Sequence, residues 1–198
     1  MNKPHIWLRA ETKPDERRTP LTPQGASELI AAGFKVTVER SDDNIFPIEQ
    51  YRQADCRIVA GNSWPDADKD AIILGLKELP EDDYPLIHRH IYFAHAYKEQ
   101  QGWQALLSRF NAGGGSLYDL EYLLDDNQRR VAAFGYWAGF AGAALALQAW
   151  SLQQGQEKLG QEPPLKGVSA YADKQALFAD IKASLAQLDL ACRIKCSF

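Results

Sequence analysis

The sequence predicts an α/β fold in which helices cover both faces of a mainly parallel sheet. Short apolar runs rich in Val, Ile, Tyr and Phe recur without strict alternation of apolar and polar residues, as is typical of strands buried on both faces. Segments with helix start and stop signals separate these runs, and strands that alternate with helices favour a parallel sheet. The predicted strands are Ile6–Ala10, Phe34–Glu39, Arg57–Gly61, Ala71–Lys77, Arg89–His95 and Gly115–Leu120.

The helices between these strands have recognisable ends. Thr22 and Pro23 place an N-cap residue before a first-turn proline, and Gly33 is expected to end the helix that runs to about Ala32. Two further helices are predicted, one from Phe46-Pro47 through Ala54 and one over Lys98–Phe110, which the Asn111–Gly115 loop ends.

A stretch without charged residues extends from Val131 to Trp150 and is long enough to span a bilayer. Alanine and glycine dominate it and Gln148 lies near its end, so its transfer into lipid is only modestly favourable. Gly135 and Gly139 permit close helix packing in a membrane and in a protein core alike. We expect a long apolar helix that is buried in the protein; a membrane span is the alternative.

The character of the chain changes after Trp150. Residues 151–166 are polar and contain Gly and Pro-Pro, which predicts an exposed linker. Asp173–Leu190 is predicted to be an amphipathic helix with Leu177, Ile181, Leu185 and Leu188 on one face. The sequence therefore divides into a first region over residues 1–150 and a second region over residues 151–198 that contains a linker and a helix.

Composition narrows the function classes. The 198 residues are 45% hydrophobic and carry a net charge of −4 without a dense Lys/Arg run, so nucleic acid is not an expected partner. The first residues lack the apolar region of a signal peptide. Three cysteines, of which Cys192 and Cys196 do not form a Cys-x-x-Cys pair, argue against a disulfide framework or redox role and suit a cytoplasmic protein.

The first candidate for chemistry is the charged segment between the first strand and the first helix, which contains Lys13, Arg17 and Arg18. In an open α/β sheet, the loops beyond the carboxyl ends of the strands form the ligand crevice. The planar guanidinium fork matches the two oxygens of a carboxylate, so this loop predicts carboxylate recognition. The alternative is a solvated charged turn.

Two further candidates stand at the ends of predicted strands. Lys77, next to Glu78, follows an apolar run, and partial desolvation of such a lysine would favour the neutral form that a general base needs. His95 ends the next strand, and histidine is the side chain best suited to proton transfer near neutral pH. The alternatives are a lysine that extends to water and a histidine with a structural role.

The sequence does not favour a metal site or a nucleotide loop. His88, His90 and His95 lack a nearby cysteine and a helical His-x3-His pair, so we predict no zinc site. Gly113–Gly115 and the segment Gly139-Phe-Ala-Gly142 lack the Gly-x-Gly-x-x-Gly pattern of a pyrophosphate-binding turn.

Several short segments, in collinear order, resemble the N-terminal part of the lysine-forming saccharopine dehydrogenases. More distantly, they resemble the first domain of alanine dehydrogenases and transhydrogenases. The likeness runs from about residue 6 to 150 and implies a flavodoxin-like, Rossmann-like α/β fold. It implies a substrate-binding domain over residues 1–150, in which Val131–Trp150 resembles the long helix that connects the two domains of the family. Residues 151–198 would then be a linker, a helix and the truncated start of a missing NAD-binding domain. The segments are Leu-Arg-Ala-Glu-Thr-Lys-Pro at 8–14, Arg-Thr-Pro-Leu-Thr-Pro at 18–23, Leu-Gly-Leu-Lys-Glu-Leu-Pro at 74–80, Phe-Ala-His-Ala-Tyr-Lys at 93–98, Gln-Gly-Trp at 101–103, Leu-Tyr-Asp-Leu-Glu at 117–121, Arg-Arg-Val-Ala-Ala-Phe-Gly at 129–135 and Ala-Gly-Phe-Ala-Gly-Ala-Ala at 138–144.

The resemblance implies roles for the candidate residues. Such enzymes oxidise saccharopine with NAD to an imine and hydrolyse it to lysine and 2-oxoglutarate. Their amine must lose a proton before hydride leaves, and water must then be activated. By resemblance, Lys77 and His95 match the acid–base pair, Arg18 an arginine that holds a substrate carboxylate with Lys13 nearby, and Glu78 and Glu121 acidic residues that tune the catalytic lysine.

The resemblance also implies what is missing. After a stretch like Asp173–Leu190 the family continues into a strand and a glycine-rich dinucleotide loop, whereas this sequence has Ala-Cys-Arg-Ile-Lys-Cys-Ser-Phe at 191–198. We expect this chain alone to bind no NAD and to be inactive. Its expected partners are saccharopine, lysine or 2-oxoglutarate, and a separate NAD-binding chain is a further possibility. The alternative is a non-catalytic interaction protein that self-associates.

Overall fold

The computed structural model describes residues 3–159 and 171–186. The chain forms two compact units, of which the first ends at Ala132 and the second begins at Ala133. A sheet of six parallel strands is the centre of the first unit, and this confirms the predicted fold class and all six predicted strands. The strands are β1 (His5–Leu8), β2 (Lys35–Glu39), β3 (Arg57–Val59), β4 (Ile72–Leu74), β5 (Arg89–Tyr92) and β6 (Ser116–Asp119).

The described helices are α1 (Pro23–Ala31), α2 (Ile48–Gln53) and α3 (Trp103–Gly113) in the first unit, and α4 (Gly135–Leu159) and α5 (Lys174–Ala186) in the second. The predicted start of α1 is confirmed, because the Thr22 hydroxyl accepts a hydrogen bond from the Gly25 N–H at 3.1 Å and Pro23 begins the helix. Gly33, at φ +87°, ends the segment as predicted.

The strand order β3-β2-β1-β4-β5-β6 places β1 and β4 side by side at the centre of the sheet. From β1 the chain builds the sheet outward through β2 and β3, and it then returns to the other side of β1 to add β4, β5 and β6. The connections after β1 and β4 therefore diverge at a topological switch point. In open α/β sheets the crevice at the carboxyl edge of that point is where ligands bind.

Alternate residues along the central strands face opposite layers, so both faces of the sheet are covered. Trp7 and Ile73 belong to a core cluster that includes Phe110 of α3. Leu8 and Val38 belong to a second cluster with Ala26 of α1 and Tyr51 of α2. The predicted layers of helix on both sides of a parallel sheet are thus confirmed.

The boundaries of α3 differ from the prediction. The helix begins at Trp103 rather than Lys98, which lies in a 3-10 turn at Ala96–Lys98. Glu99 and Gly102 both have left-handed backbone conformations, and these interrupt any helix that would start earlier. At the other end the helix continues to Gly113, since the left-handed residue that ends it is Gly114.

The long helix of the second unit is neither buried nor uniformly apolar as predicted. It begins at Gly135, continues past Trp150 to Leu159, and leaves Tyr136 and Trp137 69% and 56% exposed. Aromatic and small residues alternate around its axis without a single apolar face, so packing against α5 buries little of it. Within the described ranges, no helix is long and apolar enough to cross a membrane.

The region predicted to be a linker is also corrected in part. Residues 151–159 belong to α4, and residues 160–166 lie outside the described ranges. The predicted final helix is present as α5, with Ile181 buried, and it is described to Ala186. The predictions for Leu188 and for the segment with Cys192 and Cys196 fall outside the described residues.

Candidate active site

The loop after β1 and the loop after β4 meet at the switch point. Arg9 and Glu11 come directly after β1, and their side chains are only 1% and 6% exposed. The Glu11 carboxylate accepts hydrogen bonds from the backbone N–H groups of Leu76 and Lys77, at 2.7 and 2.9 Å. The Arg9 guanidinium donates to the carbonyl oxygen of Lys77. Two buried charges therefore hold the backbone on which Lys77 stands.

A cavity of about 780 Å³ opens beside this loop pair. Its lining includes the predicted residues Lys13, Glu78 and His95, together with Trp103 and Arg109 of α3. A smaller cavity of about 320 Å³ adjoins it, since Lys13 and Glu78 line both, and Lys77 and Glu16 line the smaller one. The arrangement brings four of the predicted residues to one recess.

Lys13 and Glu78 form the wall that the two cavities share. The Lys13 Nζ atom lies 3.7 Å from Glu78 Oε2, and both side chains are partly exposed. An exposed ion pair of this kind contributes little to stability, so its two charges can be redirected toward a ligand at small cost.

Arg18 lies in the same loop and is held by Glu16. The guanidinium donates to both carboxylate oxygens of Glu16, with Nε–Oε1 and Nη2–Oε2 distances of 2.7 and 2.5 Å. This two-point hydrogen bond from Arg18 lowers the pKa of the Glu16 carboxyl. Since Glu16 lines the smaller cavity, Arg18 reaches the recess through its contact with Glu16.

His95 stands at the turn after β5 in a left-handed backbone conformation, with φ +52°. Few residues other than glycine adopt this conformation, and strain of this kind is often found at functional sites. The imidazole stacks on the ring of Phe93 with centroids 6.1 Å apart. Its Nδ1 atom lies 3.9 Å from Glu121 Oε2, so a carboxylate faces the ring on one side.

Glu121, at the end of β6, is a meeting point for three cationic or basic groups. Lys98 Nζ donates to Oε1 at 2.5 Å, Arg130 Nη2 donates to Oε2 at 2.8 Å, and His95 is the third neighbour. The hydrogen bond from Lys98 is the main cause that lowers the pKa of this carboxyl, and the charge of Arg130 acts in the same direction. The Glu121 carboxylate thus lies against His95, Lys98 and Arg130.

The structure places all six predicted residues in loops at the carboxyl edge of the sheet. Lys13, Lys77, Glu78 and His95 line the two adjoining cavities, Glu121 contacts His95, and Arg18 contacts Glu16. Arg18 lines neither cavity directly. Their assignment as catalytic and substrate-binding residues stays a prediction.

Sequence reasoning missed the role of Glu11 and the contacts of Lys98 and Arg130. A charged pair such as Arg9 and Glu11 directly after a buried strand was the available signal, because charges are rarely buried there without a purpose. For Lys98 and Arg130 the sequence contains no signal, because Lys98 reaches Glu121 from the 3-10 turn after β5 and Arg130 reaches it from a segment that pairs with Leu124.

The glycine segments that the structure describes do not form a pyrophosphate-binding turn. Built side-chain carbons at Gly113 and Gly115 would collide with the backbone of Leu86, so these glycines permit close packing and do not form an open cradle for phosphates. Gly139 lies inside α4 rather than at its N-terminus. Among the described residues, no three or more His, Cys, Asp or Glu side chains are arranged to hold a metal ion.

Residues 7–141 match the family model described as "Alanine dehydrogenase/PNT, N-terminal domain". The chain belongs to this family. The resemblance to lysine-forming saccharopine dehydrogenases is also confirmed. The chain is 53% identical over 186 residues to the NAD-dependent, L-lysine-forming saccharopine dehydrogenase of Emericella nidulans. The aligned residues are 93% of this chain and 49% of that protein. The same enzyme of Schizosaccharomyces pombe is 56% identical over 154 residues, which are 77% of this chain and 42% of that one.

The chain spans about half the length of these family relatives. A solved structure titled L-alanine dehydrogenase, at 18% sequence identity, shares the fold with a TM-score of 0.52 and covers 83% of this chain and 45% of that one. The shared fold agrees with the parallel sheet of the first unit.

Proposed function

We propose that this chain provides the substrate-binding half of a saccharopine dehydrogenase. The observation that carries the proposal is the shared wall of Lys13 and Glu78, which joins the cavity next to Lys77 to the cavity next to His95. An acid–base pair must reach one substrate from two sides, and adjacent strands β4 and β5 deliver these two residues to the same edge of the sheet.

The charges around the recess suit an amino diacid. Lys13, Arg18, Lys98 and Arg130 are cations that can pair with carboxylates, and each now contacts a glutamate. The glutamates can in turn pair with an ammonium group. A site with both signs complements saccharopine, which has carboxylates and amines along one chain, better than it complements an apolar ligand or a polyanion.

The chemistry that this chain can supply is proton transfer. In the proposed reaction, Lys77 Nζ accepts the proton of the secondary amine, and His95 exchanges a proton with the water that hydrolyses the imine. The Glu121 carboxylate faces the Nδ1 side of the His95 ring at 3.9 Å, which is beyond hydrogen-bonding distance. NAD, which the relatives' names give as their coenzyme, would take up the hydride when bound, and the residues of this chain are assigned the proton transfers alone.

We place the substrate-binding domain over residues 1–150 and the start of a further domain over residues 151–198. We propose that the chain alone binds no NAD and is inactive, that it acts in the cytoplasm, and that turnover needs a further dinucleotide-binding part, which the part of the NAD-dependent relatives that this chain does not span would supply.

Binding is tested by isothermal titration calorimetry of saccharopine, lysine and 2-oxoglutarate against the chain. We expect saccharopine to bind with a dissociation constant on the order of millimolar, since one half-site supplies only part of the contacts. Arg18→Ala should weaken binding about tenfold, because a charge-assisted hydrogen bond to a carboxylate is worth roughly 1.5 kcal/mol.

Arg52→Ala is the matched control. Arg52 also pairs with a nearby glutamate, Glu49, and its side chain is 52% exposed, as is that of Arg18, but it lies on α2 away from the recess. Unchanged affinity in Arg52→Ala with a loss in Arg18→Ala supports the proposal. The absence of any heat of binding for all three ligands at millimolar concentration contradicts it.

A second candidate function is a non-catalytic interaction protein that self-associates. The exposure of Tyr136 and Trp137 on α4 favours it, because contiguous exposed aromatic surface is often covered by a partner. Sizing chromatography with light scattering distinguishes the two. A dimer that Trp137→Glu dissociates, in a chain that binds none of the three ligands, would favour this candidate.

A further inference from the structure

The backbone of the loop that carries Lys77 is hydrogen-bonded to two side chains of the loop after β1. Next to β5, the Gly75 N–H donates to the Ile91 carbonyl oxygen at 2.9 Å, and the Leu76 carbonyl oxygen accepts from the Phe93 N–H at 3.1 Å. From Leu76 onward the donors turn instead to Glu11 of the β1 loop.

Glu11 receives two donors with one carboxylate. Its Oε1 and Oε2 atoms accept from the N–H groups of Leu76 and Lys77 respectively, at 2.7 and 2.9 Å. Both distances are in the range of charge-assisted hydrogen bonds. The side chain is 6% exposed, so water does not compete readily for these two donors.

Arg9 binds the carbonyl group of Lys77, whose N–H group is bound by Glu11. Its guanidinium donates to the Lys77 carbonyl oxygen, and its Nη1 atom lies 3.6 Å from Glu11 Oε2. The guanidinium carbon lies 5.7 Å from the ring centroid of Tyr92 and packs against Gly75, where a built side-chain carbon would collide with it. Arg9 is therefore fixed from several sides.

From these contacts we infer that Arg9 and Glu11 are positioning residues for Lys77. The inference rests on the proposed function, in which Lys77 Nζ receives a proton from the substrate. Both backbone polar groups of Lys77 are held, so the direction in which its side chain leaves the loop is set before a ligand arrives. Pre-organisation of this kind lowers the cost of reaching a reactive geometry.

The spacing of the two residues explains why one short segment can do this. In an extended segment, residues two positions apart project to the same side, so Arg9 and Glu11 face the β4 loop together. The backbone of Arg9 also donates to the Leu74 carbonyl oxygen at 3.0 Å, which extends the β1–β4 pairing by one contact and aligns the two loops.

The test is Glu11→Gln, which preserves side-chain shape but places an NH₂ group against one of the two N–H donors. Two local readouts follow in the full chain: amide hydrogen exchange at Leu76 and Lys77, and the rate of reductive methylation of Lys77 by mass spectrometry. We expect both rates to change by roughly two- to tenfold, the range for losing one hydrogen bond. Lys69, which is exposed, serves as the internal reference.

Glu49→Gln is the control variant, since it removes an exposed glutamate on α2, and it should leave both rates unchanged. If Glu11→Gln does not fold, Arg9→Lys replaces it, because lysine keeps the charge but cannot reproduce the guanidinium fork. Rates at Lys77 that stay within about 1.5-fold of the wild type in the folded variant, well below the loss expected for one hydrogen bond, would overturn the inference. A change of equal size at Lys69 and Lys77 would also overturn it, because the effect would then be global.

Calorimetry separates this inference from the proposed function. If the wild type binds saccharopine and Glu11→Gln binds it less tightly with altered Lys77 reactivity, both stand. If the wild type binds none of the ligands while Lys77 reactivity still depends on Glu11, the proposed function fails and the positioning role stands. If binding is observed and is insensitive to Glu11→Gln, as is the reactivity, only the positioning role fails.

Discussion

The indole Nε1–H of Trp7 donates a hydrogen bond to the buried carboxylate of Glu39, with a nitrogen–oxygen distance of 3.0 Å. The same carboxylate accepts from the backbone N–H groups of Ala10, Asn62 and Trp64. One side chain at the end of β2 thus ties together the loops that follow β1 and β3. Glu39 binds Ala10 in the loop that continues into Glu11 and Lys13, and it therefore helps to fix the conformation of the candidate site.

We predict that Glu39→Gln destabilises the protein by about 2–4 kcal/mol, because an amide NH₂ group would face donors that the second carboxylate oxygen now satisfies. The free energy of unfolding measured in urea provides the test. Glu49→Gln is the matched control and should change stability by less than about 0.5 kcal/mol, as is usual at exposed positions. Equal stability of the two variants would contradict a structural role for Glu39.

His90 should make the protein sensitive to acid. It is fully buried between the rings of Trp64 and Phe110, and burial, followed by the charges of His88, Arg9 and Arg109, lowers its pKa from 6.5 to about 3. Between about pH 6.5 and pH 3, His90 is therefore protonated in the unfolded chain and neutral in the folded chain. The contribution of neutral His90 to the free energy of unfolding is complete above pH 6.5. Below that pH it falls by up to about 1.4 kcal/mol per pH unit.

The comparison that isolates His90 is the pH dependence of unfolding in wild type and in His90→Phe. His5, whose pKa burial also lowers, contributes in both proteins and cancels in the difference. Between about pH 7 and about pH 4.5 we expect the free energy of unfolding to fall less in the variant than in the wild type. The difference in slope should correspond to one proton fewer bound on unfolding of the variant. Parallel curves would show that His90 is protonated in the folded protein.

The fold could be predicted where local signals agree with the tertiary structure. Thr22, Pro23 and Gly33 have the same roles in the structure as in the sequence pattern, since N-cap and left-handed positions are set by local chemistry. The start of α3 could not be predicted, because the turn before it uses left-handed conformations at His95 and Glu99, which are not glycines. Tertiary contacts, such as that of His95 with Phe93, override local preference there.

The candidate site was predictable in part for a similar reason. Lys77 and His95 follow apolar runs, and the carboxyl ends of parallel strands meet at one edge whatever the details of the sheet. The contacts of Glu11 with Leu76 and Lys77 depend on the register of β1 against β4, in which Leu8 pairs with Leu74. A register is a relation between distant segments, and no local pattern encodes it.

Lys98 should control the ionisation of Glu121. Its hydrogen bond is the main cause of the lowered pKa of that carboxyl, so Lys98→Gln should raise the pKa toward 4.5. The measurement is a carboxyl-carbon NMR titration of Glu121. Lys69→Gln, which removes an exposed lysine before β4, should leave the titration unchanged. A Glu121 pKa that does not move in Lys98→Gln would show that the other neighbours, Arg130 and His95, set it.

The glycines that end α3 provide a test of packing against conformation. At Gly115 a built side-chain carbon would collide with the carbonyl oxygens of Leu86 and His88, which belong to rigid backbone next to β5. At Gly114 the same carbon would meet open space, although the residue has a left-handed φ of +70°. Alanine at the two positions therefore tests two different costs.

We expect Gly114→Ala to cost about 1 kcal/mol, the usual penalty for a left-handed alanine. Gly115→Ala should cost roughly 3 kcal/mol or more, because the backbone of Leu86 must move and its carbonyl oxygen accepts the hydrogen bond from the Gly115 N–H at 3.0 Å. Urea unfolding of both variants measures the difference. If Gly114→Ala were the more destabilising variant, conformation rather than close packing would govern the approach of α3 to the sheet.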